Sequence, residues 1–470
     1  MTAIDFIPVA LYIILLLFYG FKTRQKDSDK SEFLLSGRTL SIPAFVATLV
    51  STWYGGILGV GEFVHLQGIS VWIVFGLPYY VFALLFAFLL APKIRQSDSY
   101  SIPDMLYRVY NKPIGLLGSV FILFMTSPAP YILMIGVLLQ SLFSISLFYS
   151  VLLGTVFSMI YVYWGGFRSV VRTDMLQFLT MFAGFIMLFI FLIQSPISLN
   201  AIPDHLDSLH KSISGGLSWQ EIIVWILIAS WTFIDPGFHQ RCSAARTPQI
   251  ARKGIIISVG FWFVFDMLTL ICGLYAFILL PDINPMMSFP ELGNLILPPV
   301  LKGLFFTGLL ATIMSTVDSY TFLSALTFGN DIVAQYKKNI SESEIKKYVQ
   351  WGLIITAIIS IILILLVPSV IRLWYNLGSL FIPPLLLPLL SVYFPKLRIS
   401  KQSTLLAMIL SFGISFISFL WGQLHLIAGL PDYPFGVEPF FPGMIWSTLM
   451  YVIVIWVKFS SRPVHKKNIG

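Results

Sequence analysis

The chain has 470 residues, 57% of them hydrophobic and 11% charged, with a mean hydropathy of +0.87. A water-soluble fold of this length could not cover so much apolar surface, so the composition excludes one and implies a lipid bilayer as solvent. The net charge of +8 falls in short segments between apolar runs, which accounts for it without nucleic acid as a partner.

Apolar runs of about 18 residues or more each read as a membrane-spanning helix. Thirteen are expected, over residues 4–21, 43–66, 71–91, 113–143, 147–163, 174–194, 219–238, 254–280, 299–328, 351–367, 370–394, 403–421 and 441–457. With the N-terminus outside and the spans alternating, the inner segments are 22–38, 93–112, 168–172, 241–253, 337–347, 396–401 and 458–467. They collect 26 of the 29 Lys and Arg residues and leave Lys211, Lys302 and Arg372 outside. That pattern predicts an integral protein of the plasma (inner) membrane with a cytoplasmic C-terminus. The first run lacks a basic n-region and a small-residue cleavage site, so it does not read as a signal peptide. Cys242 and Cys272 fall on the inner side and within a span, and imply no disulfide.

Two spans carry breaks near mid-membrane. In the second, STWYGGILGVGE places glycines at 55, 56, 59 and 61; in the seventh, FIDPGFHQR is interrupted at Pro236 and Gly237. Five spans run from the second to the sixth and five more from the seventh to the eleventh, so each break opens one half. Halves with an odd number of spans insert upside down to each other, and interrupted helices at matching positions point to the binding site of a secondary transporter. Close helix packing is the other reading of such glycines. A single membrane domain is expected, divided into a first span and loop (1–42), a first repeat (43–194), a second repeat (219–394), and two further spans with a tail (395–470).

The ninth span holds the densest polar pattern. Thr312, Ser315, Thr316 and Ser319 follow i, i+3, i+4, i+7 and share one helical stripe, with Asp318 beside it. Hydroxyl and carboxylate oxygens suit a small hard cation, and in hydrocarbon such groups face a bundle interior or a pathway. The same hydroxyls also suit bonding back to their own helix and joining it to neighbours. Asp266 within the eighth span and Glu62 near the outer end of the second pair inside the bundle or line a vestibule. Arg241, at the inner end of the seventh span, counts with the positive-inside residues. His65, His239 and His425 show no metal-ligand spacing, and the chain has no nucleophile triad, phosphate loop or zinc motif, so an enzyme is not expected.

Residues 163–177, YWGGFRSVVRTDMLQ, resemble a signature of the sodium:solute symporter family, and residues 314–332, MSTVDSYTFLSALTFGNDI, resemble its ninth-span signature. FLLSGRTLS at 33–41 and FHQRCSAAR at 238–246 are similar to further family landmarks. The resemblance implies an all-α integral membrane fold of the leucine-transporter type, with an inverted five-plus-five repeat. STWYGG and IRLWYNLGSL look closest to the choline-transporter branch. It also implies a principal Na+ site between the second and ninth spans: backbone carbonyls near Ser51 and Tyr54, the Thr312 carbonyl, and the Ser315 and Thr316 hydroxyls. A second sodium, present in some members, would involve Asp174, Ser315, Asp318 and Ser319. Asp318 stands where several members have serine, so it either strengthens cation binding or takes up a proton. Asp174 also reads as a helix cap after Thr173.

For the solute, Trp53 and Tyr131 match aromatic cage positions of the choline branch, where cation–π attraction holds a quaternary ammonium. Asp235 stands where that branch has a tryptophan. Its carboxylate either meets an amine-bearing solute, binds a proton, or satisfies backbone donors at the Pro-Gly break. The expected function is sodium-coupled import of a small polar organic solute by alternating access. The alternatives are a proton-coupled or uncoupled carrier of the same fold, and a membrane sensor or partner subunit. The short tail after the last span argues against a fused sensor.

Overall fold

In a computed structural model the chain is described over residues 2–22, 30–337, 340–427 and 430–460. Arg24, Lys26, Lys338, Arg462, Lys466 and Lys467 of the expected inner segments lie outside the described residues. The described chain is helical apart from loops and one two-stranded hairpin, Leu426–Ile427 with Leu430–Pro431. Helices dominate because hydrocarbon offers no partner for an unpaired peptide group, and each one left open costs several kcal/mol. Their starts are chemically marked. Ser218 and Glu221 form a reciprocal capping box ahead of Trp219–Ile228, and Thr247 caps the Ile250 N–H just before Pro248.

Twelve helices among the described residues are long and apolar enough to cross a membrane, not the expected thirteen. The difference lies between residues 147 and 194. Two helices meet within Leu147–Leu192 across a kink at Gly166, whose φ is 57° and ψ is −151°. The apolar part before the turn, Leu147–Ile160, is shorter than a full span, and the part after it, Gly165–Leu192, begins well ahead of residue 174. Arg168 and Arg172 had implied a loop there. They sit on helix instead, where Arg168 pairs with Glu32 of the first inner segment. The chain still passes between the two ends of the bundle here. Phe143 meets Phe6 at one end, ring centroids 5.7 Å apart, and the Tyr163 carbonyl accepts from Gln350 Nε2 at the other, 3.0 Å away.

The helices divide by burial. Ile42–Gln67 and Leu301–Tyr336 are almost wholly enclosed, and Lys112–Phe143, Trp219–Ala244 and Val370–Tyr393 mostly so. In the remaining spans fewer than half of the residues are buried. In the first span Ile4, Ile7, Leu11, Ile14 and Phe18 are each more than half exposed, while Val9, Tyr12 and Leu16 are buried. That is an amphipathic stripe with its apolar exposed face intended for lipid.

The basic segments gather at one end. Arg38 pairs with Asp98 at 3.4 Å, Lys93 donates to the Tyr393 carbonyl at 3.2 Å, and Lys112 donates to the Gln335 carbonyl at 2.8 Å. The opposite end is held by other contacts: Val300 N–H to Asp5 at 2.8 Å, Tyr275 to the Ile197 carbonyl at 2.7 Å, and Gln220 to the Gly436 carbonyl at 3.0 Å. Outside the spans, Asp207 caps the His210 N–H, which holds its carboxyl below the usual carboxylate range. The two sets of loops never mix in these contacts, as alternating spans require.

Gly166 makes the turn possible twice over. Its positive φ suits glycine, and a Cβ there would come within 2.5 Å of the Phe33 ring. Gly166→Ala should therefore destabilise the fold by about 1–3 kcal/mol. Thermal unfolding of the detergent-solubilised protein measures this, and an unchanged midpoint would show that the turn is not strained by a side chain.

Candidate functional site

The helix Leu301–Leu326 runs through the centre of the bundle, buried without interruption from Phe305 to Leu326. Thr312, Ser315, Thr316, Asp318 and Ser319 are therefore all enclosed by protein. The stripe faces the broken helix made of Ile42–Trp53, a 3-10 turn at Tyr54–Gly56, and Ile57–Gln67. Ser315 Oγ lies 2.9 Å from Ser51 Oγ, and the Thr316 hydroxyl donates to the Thr52 carbonyl at 2.5 Å. Gly55 permits this approach, since a Cβ there would lie 2.0 Å from Thr316 Oγ1. The Thr312 hydroxyl turns back to the Gly308 carbonyl at 2.6 Å. The Tyr54 side chain leaves the stripe and donates to Asp266 at 2.8 Å, so toward the stripe Tyr54 has only its backbone. The break and the hydroxyl stripe thus meet where the principal ion ligands were expected.

Asp174 does not cap a helix. It lies well inside Gly165–Leu192, fully buried, because the helix restarts at the Gly166 turn. Its Oδ1 accepts from Ser315 at 2.6 Å and its Oδ2 accepts from Thr48. Ser319 joins the same group through Thr52, 3.0 Å away. Asp318 is buried on the same helix, and Tyr12 of the first span lies within electrostatic reach of both Asp318 and Asp174.

Arg241 is the residue whose place the sequence did not foretell. Far from anchoring at the membrane surface, it has no solvent exposure. It projects from the Pro236–Ala244 helix into the hydroxyl group. Nη2 lies 2.7 Å from Thr52 Oγ1, 2.9 Å from Ser319 Oγ, 3.0 Å from Thr48 Oγ1 and 3.6 Å from Asp174 Oδ2. Nη1 donates to the Gly237 carbonyl at 3.3 Å, and the guanidinium lies over the Phe167 ring. The only sequence sign was an arginine two turns after a helix break, among many basic residues at the same depth.

Trp53, Tyr131 and Asp235 line one cavity between the two broken helices. Trp53 packs edge-on against Tyr79, centroids 4.8 Å apart, and Tyr131 packs against Tyr320 at 5.4 Å and Trp374 at 6.2 Å. Asp235 serves the break locally: it caps Pro236–Ala244 by accepting from the Phe238 N–H at 2.9 Å, and it also accepts from Tyr320 at 2.7 Å. A second carboxylate, Asp266, faces the cavity and accepts from Tyr54 and Tyr80. Among the described residues that line this cavity there is no Lys, Arg or His. Tyr79, Tyr320 and Trp374 were not foreseen, since apolar-run counting treats an aromatic residue as core.

A model of the sodium:solute symporter family matches residues 33–411. The chain belongs to the sodium:solute symporter family. Among its relatives, the sodium/pantothenate symporter of Haemophilus influenzae is 25% identical, covering 93% of this chain and 95% of its own length. The osmoregulated proline transporter OpuE of Bacillus subtilis is 24% identical over 97% and 95% of the two chains. These relatives do not support the expected choline branch. In shape, the structure of a Na+-coupled sialic acid symporter matches with a TM-score of 0.80 at 17% identity, covering 98% and 99% of the two chains. Mhp1, a nucleobase-cation-symport-1 family transporter, matches at 0.60 and 12% identity over 91% and 94%. Both likenesses concern the fold, an all-helical membrane transporter of the leucine-transporter type. The family and the named relatives are transporters rather than enzymes.

The buried pair in this symporter is energetically testable. Arg241→Met leaves the Asp174 carboxylate without its cation and should cost about 3–5 kcal/mol. Adding Asp174→Asn should recover a large part of that loss. Unfolding midpoints of the two single variants and the double variant give the coupling, and strict additivity would show that the two charges do not interact.

Proposed function

We propose that this family member is a sodium-coupled secondary active symporter that imports a small polar organic solute by alternating access. The observation that carries the reading is the closest approach of the hydroxyl stripe to the broken helix. Ser315 and Thr316 there meet residues 51–55 within a fully buried interface. The proposed principal sodium ligands are the Ser315 and Thr316 hydroxyls with backbone carbonyls of Ser51, Tyr54 and Thr312. Ile42–Gln67 and Trp219–Ala244 are the corresponding broken helices of two inverted halves (43–194 and 219–394), with the short Leu147–Ile160 helix counted in the first. Positive-inside charge sets the basic end in the cytoplasm of a plasma membrane, with the N-terminus outside.

One sodium ion entering through ~100 mV gains about 2.3 kcal/mol, and a tenfold concentration ratio adds about 1.4 kcal/mol. Together they support roughly 500-fold accumulation of solute per ion.

The proposed solute carries a protonated amine. Trp53, Tyr131 and Asp235 are its proposed contacts. Two carboxylates and an aromatic wall face the cavity, with no basic side chain among its described lining residues, and an ionised carboxylate has lone pairs to spare beyond the two donors that each already meets. Of the solutes named for the relatives, proline has such a nitrogen and pantothenate does not.

Uptake into proteoliposomes with a panel of amines, amino acids and simple anions, with and without sodium, tests both parts. Sodium should be required, and Ser315→Ala and Thr316→Ala should each raise the sodium concentration for half-maximal uptake several-fold. Equal uptake in sodium-free buffer without a pH gradient would sink sodium coupling, and uptake driven only by a pH gradient would replace it with a proton. Amine-bearing solutes should compete and acetate should not, with Asp235→Asn weakening solute more than sodium. Competition by anions alone would remove Asp235 from the solute site.

A further inference from the structure

Two of the four residues that family resemblance assigns to a second sodium already have a cation. They are Asp174 and Ser319, and the guanidinium of Arg241 lies between them, 2.9 Å from Ser319 Oγ and 3.6 Å from Asp174 Oδ2. Ser315, a third, donates to Asp174 Oδ1 at 2.6 Å, and Thr48 donates to Asp174 Oδ2. Both carboxylate oxygens are thus engaged by donors. We infer that Arg241 is the fixed cation of this second site, and that the chain accordingly binds one sodium ion rather than two.

Three physical points carry this. A sodium ion coordinates through oxygen lone pairs, and here Thr48, Thr52 and Ser319 accept from Arg241 Nη2 while the Asp174 oxygens accept from the Ser315 and Thr48 hydroxyls. A guanidinium cannot give up its proton to make room, since it stays charged in proteins. An added cation at the same oxygens would face the guanidinium at a few ångströms without water to screen it, which is strongly repulsive. The arginine is also part of the protein. It arrives on the Pro236–Ala244 helix, the inner half of a broken span, so its charge moves with that helix and never crosses the membrane as cargo. The consequence for the proposed function, on which this inference rests, is energetic. A second transported ion would square the accumulation ratio, whereas a tethered cation leaves it at that of one ion, roughly 500-fold.

The test is equilibrium binding of radiolabelled sodium to the purified full chain in nanodiscs, without solute. Wild type should saturate at one ion per chain with a Hill coefficient near one. Arg241→Gln frees the hydroxyl oxygens and leaves Asp174 without its cation, so its plateau should rise to two. Arg241→Lys keeps the charge and should stay at one. Two ions per wild-type chain would overturn the inference, whether the extra ion sits at Asp174 or at Asp318, and would leave sodium coupling intact. A plateau of one in folded Arg241→Gln would equally overturn it. Absence of saturable sodium binding in wild type would instead overturn the sodium-coupled reading itself. Should Arg241→Gln fail to fold, the wild-type count still decides.

Discussion

A full positive charge with no access to water must be matched where it lies, and in this protein that place is the centre of the bundle. Removing a guanidinium from water costs several kcal/mol even after relaxation, and only a nearby anion with a full set of hydrogen bonds offsets it. Asp174 supplies the anion, and Thr48, Thr52 and Ser319 supply the acceptors. These groups come from Gly165–Leu192, Ile42–Gln67 and Leu301–Tyr336, and the arginine from Trp219–Ala244. Four helices are pinned at one point. Apolar packing alone would not do this, because lipid tails are as apolar as leucine and give helices little reason to prefer one another. The polar group sets the register, and the surrounding aromatic and aliphatic side chains fill the space it defines.

Glycine and helix breaks follow from the same constraint. Thr316 can reach the Thr52 carbonyl only because residue 55 has no side chain. Arg241 reaches the group because its helix restarts at Pro236, after Asp235 takes extended backbone with ψ of 116°. An unbroken helix would carry its intrahelical bonding straight past this point, and its side chains would project at other heights.

Much of this was legible in sequence, for reasons that can be named. The spans were visible because hydrocarbon thickness fixes a minimum apolar length, and the sorting of Lys and Arg was visible because the loops at one end of the bundle hold most of them. The stripe of Thr312, Ser315, Thr316 and Ser319 was visible because helical periodicity is local. What was hidden depends on distant pairing. Thr48 and Asp174 are 126 residues apart, and Arg241 and Thr48 are 193 apart. No local pattern distinguishes an arginine that enters the core from one that meets headgroups. The same blindness misplaced the boundary between the two spans expected over 147–194. Arg168 and Arg172 look like a loop to any charge count, but the turn is made at Gly166 and the next helix has already restarted at them, with Arg168 paired to Glu32.

The aromatic cavity and the buried charge group are not separate places. Thr52 lines the cavity and also accepts from Arg241 at 2.7 Å. Its neighbour Trp53 forms part of the aromatic wall. Ser319 accepts from the same arginine, and the next residue, Tyr320, donates to Asp235 across the cavity at 2.7 Å. Asp235 in turn caps the helix that carries Arg241. On the proposed reading, a solute that draws on Asp235 shares that carboxylate with Tyr320 and with the helix cap. It therefore acts on the short helix whose arginine holds Thr48, Thr52 and Ser319. An ion at Ser315 and Thr316 acts on the same two helices from the other side. Each ligand then alters the cost of the other's site through shared, rigid neighbours, which is the contiguous physical link that coupled transport requires.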